Sequence, residues 1–129
     1  KIIDLYTGDL KAEETNKVLN KESLATIQKL VRQVPIAKDL KEKVLQIIAG
    51  TRTDSNLEYG ASPRASIGLI LASKAHALIS GRNHVGKEDI REMAYPVLRH
   101  RIILNFEAER GNMTTDGVIR NILSKEGIK

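Results

Sequence analysis

The sequence has no cysteine and no tryptophan, one phenylalanine and three tyrosines. Without thiols it can build no disulfide, no zinc–thiolate site and no cysteine nucleophile, and a reducing cytoplasm is the compartment this composition fits. Aromatic residues amount to 3%, too few to serve as stacking platforms for single-stranded nucleic acid. No stretch of eighteen apolar residues occurs, which excludes a membrane-spanning helix. The first residue is Lys1, with neither an initiator methionine nor a signal-peptide pattern, so the chain is expected to be a piece of a longer protein.

What is present is aliphatic. Hydrophobic residues make up 41% of the 129 residues, and with so few rings the core must be Leu, Ile, Val and Ala, a mixture that favours helices over strands. The length suits one domain, or one domain and an extension. The 21 basic and 16 acidic residues leave a net charge of +5. They are interleaved along the chain, and the densest basic cluster is Arg99-His100-Arg101. Such a balance permits a phosphate-bearing partner without demanding one.

Apolar spacing divides the chain into helices. Residues 1–19 are irregular and read as a linker or arm, with room for a short strand whose partner is absent. Asn20 can cap a helix carrying Leu24, Ile27, Leu30, Val31 and Val34 on one face, which Pro35 stops. Ala37-Lys38-Asp39 opens a second helix, with Leu40, Val44, Ile47 and Ile48 on one side and Gly50 as its C-terminal cap. The short connection makes these two helices antiparallel neighbours. Thr51 to Gly60 reads as a polar surface loop. The segment from Ser62 to about Ser80 is apolar nearly all round, which predicts a central helix buried by the others. Gly81 to Gly86 ends it. A further helix begins near Lys87 and meets Pro96, either as a kink or as the first residue of a new helix. Asn105 to Asn112 reads as a polar connector, and a last helix starts near Thr115 and ends at Gly127. The expected fold is all-α, a compact bundle of five or six helices with an irregular N-terminal arm.

The start of the central helix is chemically odd. Ser62 suits the N-cap and Pro63 the first helical position. Arg64 then places a cation at the positive end of the helix dipole. Either Arg64 faces solvent or pairs with a carboxylate such as Glu58, or an anion is meant to arrive there.

Other chemistry finds little support. Gly81 to Lys87 has the GxxxxGK spacing of a phosphate-binding loop, but Glu88 replaces the magnesium-binding Ser or Thr, and the loop follows a helix where a strand is required. The three histidines, His76, His84 and His100, lie on different elements, and no metal-ligand spacing or nucleophile–base pattern appears. A small basic helical domain binding DNA or RNA remains an alternative. No segment offers a clean recognition helix, because the central helix is too apolar and Pro96 breaks the basic one.

The runs Gly60-Ala61-Ser62-Pro63-Arg64-Ala65, Gly81-Arg82-Asn83-His84-Val85 and Pro96-Val97-Leu98-Arg99-His100-Arg101 together resemble the C-terminal helical lid of MoxR-type AAA+ ATPases. The likeness covers roughly Val18 to Ile128. It implies residues 1–19 as the end of the ATPase core and hinge, and residues 20–129 as the lid. The resemblance further implies a ring-forming ATPase with a chaperone-like role in assembling or maturing other protein complexes, whose client is unknown. ATP and Mg2+ would serve the full-length protein, with none expected on the isolated lid. The implied partners are the protein's own N-terminal core and neighbouring subunits, with no membrane and no nucleic acid. Arg64 would be the second sensor arginine, reaching the γ-phosphate of ATP, with Ser62 and Pro63 supporting the helix end. Arg99 and Arg101 would pair with acidic residues inside the lid or face the core or a neighbouring subunit; the internal pairing is the reading taken. Without Walker A and B motifs, this stretch alone is expected not to hydrolyse ATP.

Overall fold

The computed structural model describes residues 16–129, and the expected strand or hinge within residues 1–15 lies outside them. The described residues form six helices and one two-stranded sheet. In chain order these are α1 (Lys21–Gln33), α2 (Lys38–Thr53), β1 (Leu57–Tyr59), α3 (Arg64–Ile79), α4 (Lys87–Leu98), β2 (Ile103–Leu104), α5 (Phe106–Arg110) and α6 (Thr115–Lys125). The all-α expectation holds, with a single short antiparallel ladder pairing Leu57 with Leu104 and Tyr59 with Ile103.

Local signals place most boundaries. The Asn20 side chain accepts from the Ser23 N–H at 2.7 Å and opens α1. Thr114 caps α6 through the Gly117 N–H at 3.0 Å. After α3 the chain reverses through Gly81 at φ +74°, where the Arg82 N–H donates to the Ala77 carbonyl at 2.9 Å. Only a residue without Cβ adopts that conformation cheaply.

Helices α3 and α4 form an antiparallel hairpin at the centre. The hairpin's direction follows from two contacts: Gly68 near the start of α3 faces Val97 near the end of α4, and His76 bonds Asp89 at the other end. Leu69, Ser73 and Ala77 of α3 and Ile90, Ala94 and Leu98 of α4 are fully buried along the seam. Helix α2 closes the core with Val44, Ile47 and Ile48, and α6 with Val118, Ile119, Ile122 and Leu123.

Several expectations are corrected. Helix α2 runs past Gly50 to Thr53, so Gly50 is no cap. It is a point of close approach, where an added Cβ would lie 3.3 Å from Ile122. Helix α1 packs on α3 and not mainly on α2. Ile27 and Val31 are half-buried while Leu24 and Leu30 remain exposed, so only part of its apolar stripe is covered. Helix α3 is buried on one face only: Ile67 is 60% and Ile79 84% exposed. Helix α4 continues through Pro96 to Leu98, and no new helix begins there. The expected connector from Asn105 to Asn112 contains α5, capped by the Asn105 side chain on the Ala108 N–H at 2.9 Å.

Candidate functional site

The site is built where α2 ends and α3 begins. Thr51 sits in the last turn of α2, fully buried, and continues the spacing of Val44, Ile47 and Ile48. Its hydroxyl donates to the Ile48 carbonyl at 2.7 Å and accepts from the Ala61 N–H at 3.0 Å. One side chain thus satisfies a buried backbone donor ten residues downstream. Gly60 lies so close to α2 that a Cβ there would overlap the backbone of Thr51 and Arg52. These two contacts fasten the segment before α3 to the end of α2, and Ala61 is buried with it.

From that anchor the chain enters α3. The Ser62 carbonyl accepts from the Ala65 N–H at 2.8 Å, and Pro63 is already helical at φ −54° and ψ −27°. Ser62 and Pro63 therefore support the helix end, but through the backbone. The expected hydroxyl cap by Ser62 is not formed. The Ser66 hydroxyl instead turns back to the Pro63 carbonyl at 2.6 Å. Arg64 is the first residue of α3 and is exposed. Among the described residues its guanidinium forms no ion pair, and Glu58 forms none either. The Glu58–Arg64 pairing is therefore not made. A free guanidinium stands at the positive end of a sixteen-residue helix.

The two arginines that follow α4 differ. Arg99 grips Asp116 at the start of α6 with two bonds of 2.8 Å, Nε to one carboxylate oxygen and Nη2 to the other. These bonds hold the Asp116 carboxyl below the usual carboxylate range. Arg101 is exposed and forms no ion pair among the described residues. The β1–β2 ladder brings the turn that holds it alongside Tyr59, one residue before Gly60.

Residues 49–122, which contain this junction and both arginines, match the family model for the AAA lid domain. The chain belongs to that family. Its relatives include the uncharacterized protein YeaC of Bacillus subtilis, 33% identical over 95% of this chain and 38% of that protein. Chaperone MoxR1 of Mycobacterium tuberculosis is 28% identical over 92% of this chain and 34% of its own length. A crystal structure from Cytophaga hutchinsonii, of a protein assigned as an ATPase, superposes with a TM-score of 0.81 at 32% identity, covering 96% of this chain and 40% of that one. The chain is a lid of the MoxR type, and it spans little more than a third of the first two relatives.

At the far end of the α3–α4 hairpin the lid holds a buried charge cluster. Asp89 is fully buried. It accepts from Arg82 Nη1 and Nη2 at 2.7 and 2.5 Å and from the Gly86 N–H at 2.8 Å, and it contacts His76 Nδ1 at 2.6 Å. Burial pushes the Asp89 carboxyl up, but the Arg82, Gly86 and His76 bonds outweigh it and leave the carboxyl below its ordinary range. His76 is thus tied to a carboxylate, and among the described residues no three His, Asp or Glu side chains gather to hold a metal. The segment with the near-phosphate-loop spacing is a helix–helix connector, with Glu88 engaged by Arg82 at 2.5 Å.

Sequence reading missed Thr51 and the Asp89 cluster. Thr51 was detectable, because it stands three and four residues after Ile48 and Ile47 on the buried face of α2. Asp89 offered only the sign of a carboxylate three residues after the N-cap Gly86, since its Arg82 and His76 partners lie in the connecting turn and on another helix.

Proposed function

We propose that this lid covers one side of a nucleotide site whose other side belongs to an AAA+ core, and that Arg64 contacts the γ-phosphate of ATP there. The observation that carries the reading is the Arg64 guanidinium, without an ion pair among the described residues, at the N-terminus of α3, a helix start held in place by the Thr51–Ala61 bond and the Gly60 contact. A triphosphate fits this arrangement because a cation and a helix dipole of the same sign converge on one point. The Mg2+ that accompanies ATP is assigned to the core. When ATP is bound, Arg64 supplies positive charge to the terminal phosphate. Loss of that phosphate removes its partner, which couples hydrolysis to movement of the lid. In the full-length protein this motion drives chaperone-like work on other protein complexes, in line with the name of the mycobacterial relative. Arg101 faces the core or a neighbouring subunit.

The test is Arg64→Ala in the full-length ATPase. Removing a charge-assisted contact worth roughly 1.5–3 kcal/mol predicts a fall in turnover of about 10- to 150-fold. The lid's melting temperature is expected to stay unchanged, since Arg64 bonds nothing among the described residues. Normal hydrolysis by this variant refutes the reading.

A further inference from the structure

We infer that Arg52 is a second phosphate-contacting residue, acting beside Arg64 on the same anion; the inference rests on the nucleotide reading above. The structural reason begins at Gly60. A Cβ on Gly60 would overlap the Thr51 carbonyl and meet the Cα of Arg52 at 2.6 Å, so the last turn of α2 and the segment leading into α3 touch at the Thr51–Arg52 peptide. Arg64 follows Gly60 by four residues, at most about 14 Å of chain. Two long arginine side chains that start this close can meet on one polyanion.

The alternative task for a basic residue in the last turn of α2 is to bond the terminal carbonyls of that helix. Among the described residues Arg52 makes no such bond. The Thr53 Oγ1 reaches the Gly50 carbonyl at 3.5 Å, and the Thr51 Oγ1 adds a second bond, of 2.7 Å, to the Ile48 carbonyl, which already has its helical partner. Arg52 is exposed, and among the described residues its guanidinium makes no hydrogen bond and no ion pair. Within those residues none of its five donors is taken, and they stand in the fork geometry that suits phosphate oxygens. The Thr51 hydroxyl fastens the next element to the same turn. Arg52 and Arg64 are therefore carried on one rigid junction, and any displacement of the lid moves both together.

The experiment uses the full-length ATPase with Arg52→Ala, Arg52→Lys, Arg64→Ala and the Arg52→Ala/Arg64→Ala double variant. Affinities for a non-hydrolysable ATP analogue and for ADP are measured together with kcat, KM and melting temperature. Arg52→Ala is expected to weaken the analogue about tenfold or more while the melting temperature holds. Arg52→Lys is expected to recover part of the loss, because it keeps the charge and loses the fork. In the double variant, the loss is expected to be smaller than the product of the two single losses, as for groups that share one anion. Unchanged analogue affinity in Arg52→Ala, or a lowered melting temperature alone, overturns the role of Arg52 and leaves Arg64 standing. Normal turnover in Arg64→Ala overturns the nucleotide reading beneath both.

Discussion

Replacing Thr51 with valine tests the junction on which the site depends. Valine keeps the shape of threonine and its methyl contacts but removes the hydroxyl. The Ala61 N–H, buried and bonded to Thr51 Oγ1 at 3.0 Å, is then left without an acceptor. The Ile48 carbonyl loses one bond but keeps its helical partner. Stranding one buried donor costs about 1–3 kcal/mol. For a chain of this size that corresponds to a melting temperature lower by about 4–12 °C. Thr51→Ser is the control, since it retains both hydrogen bonds and gives up one buried methyl, worth about 0.8 kcal/mol. Thermal and urea unfolding followed by circular dichroism provide the readout, with the urea slope checked for constancy. Amide exchange at Ala61 is expected to accelerate in the valine variant and not in the serine variant. A Thr51→Val protein as stable as its parent, or one more stable than Thr51→Ser, refutes the argument that this hydroxyl ties α2 to α3.

Two glycines predict opposite signs for the same change. Gly60→Ala places a Cβ into the backbone of Thr51 and Arg52, and a loss of more than about 2 kcal/mol is expected in urea melts. Gly68→Ala adds a Cβ 3.9 Å from Val97 inside α3, so a gain of about 0.5–1 kcal/mol is expected from helix propensity. The Asp89 carboxyl has its pKa lowered by folding, so its contribution to stability is present above the unfolded value near 3.9 and fades as pH falls through the lower folded value. Urea midpoints between pH 6 and pH 2 are therefore expected to show Asp89→Asn well below the parent at pH 6, with the gap shrinking below about pH 4; a gap constant over that range contradicts the linkage.

Much of the fold was legible where the deciding interactions are local. Asn20 and the stops at Pro35 and Gly81 act within a few residues of the boundaries they set, and the sequence places them correctly. The errors share a physical cause. Gly50 looked like a cap because a glycine after an apolar stripe usually is one, but the space it leaves is filled by Ile122 from the other end of the chain. The β1–β2 ladder joins residues more than forty positions apart, and a two-residue strand such as Ile103–Leu104 has no periodicity to detect. Helix α3 is apolar all round, which predicts full burial; within the described residues Ile67 and Ile79 stay exposed. At the candidate site the misplaced cation of Arg64 was readable from the helix start alone. The hydroxyl that helps that end proved to be that of Ser66, and the anchor behind it, Thr51, lay in what read as a loop.

The α3–α4 hairpin is clamped at one end by the β1–β2 ladder and the Thr51 junction, while its connecting turn lies at the other. Sixteen residues of α3 span about 24 Å. The turn is held too: the Val85 N–H donates to the Pro35 carbonyl at 3.0 Å, so the hairpin turns only with the bundle packed around it. A rotation of the whole lid by about 10° about a fulcrum at the Arg64 end sweeps the turn through about 4 Å, by the same helix length. Asn83 and His84 are exposed on that turn. A spectroscopic label there reads small angular movements in magnified form, at a distance from the residues that hold the fulcrum.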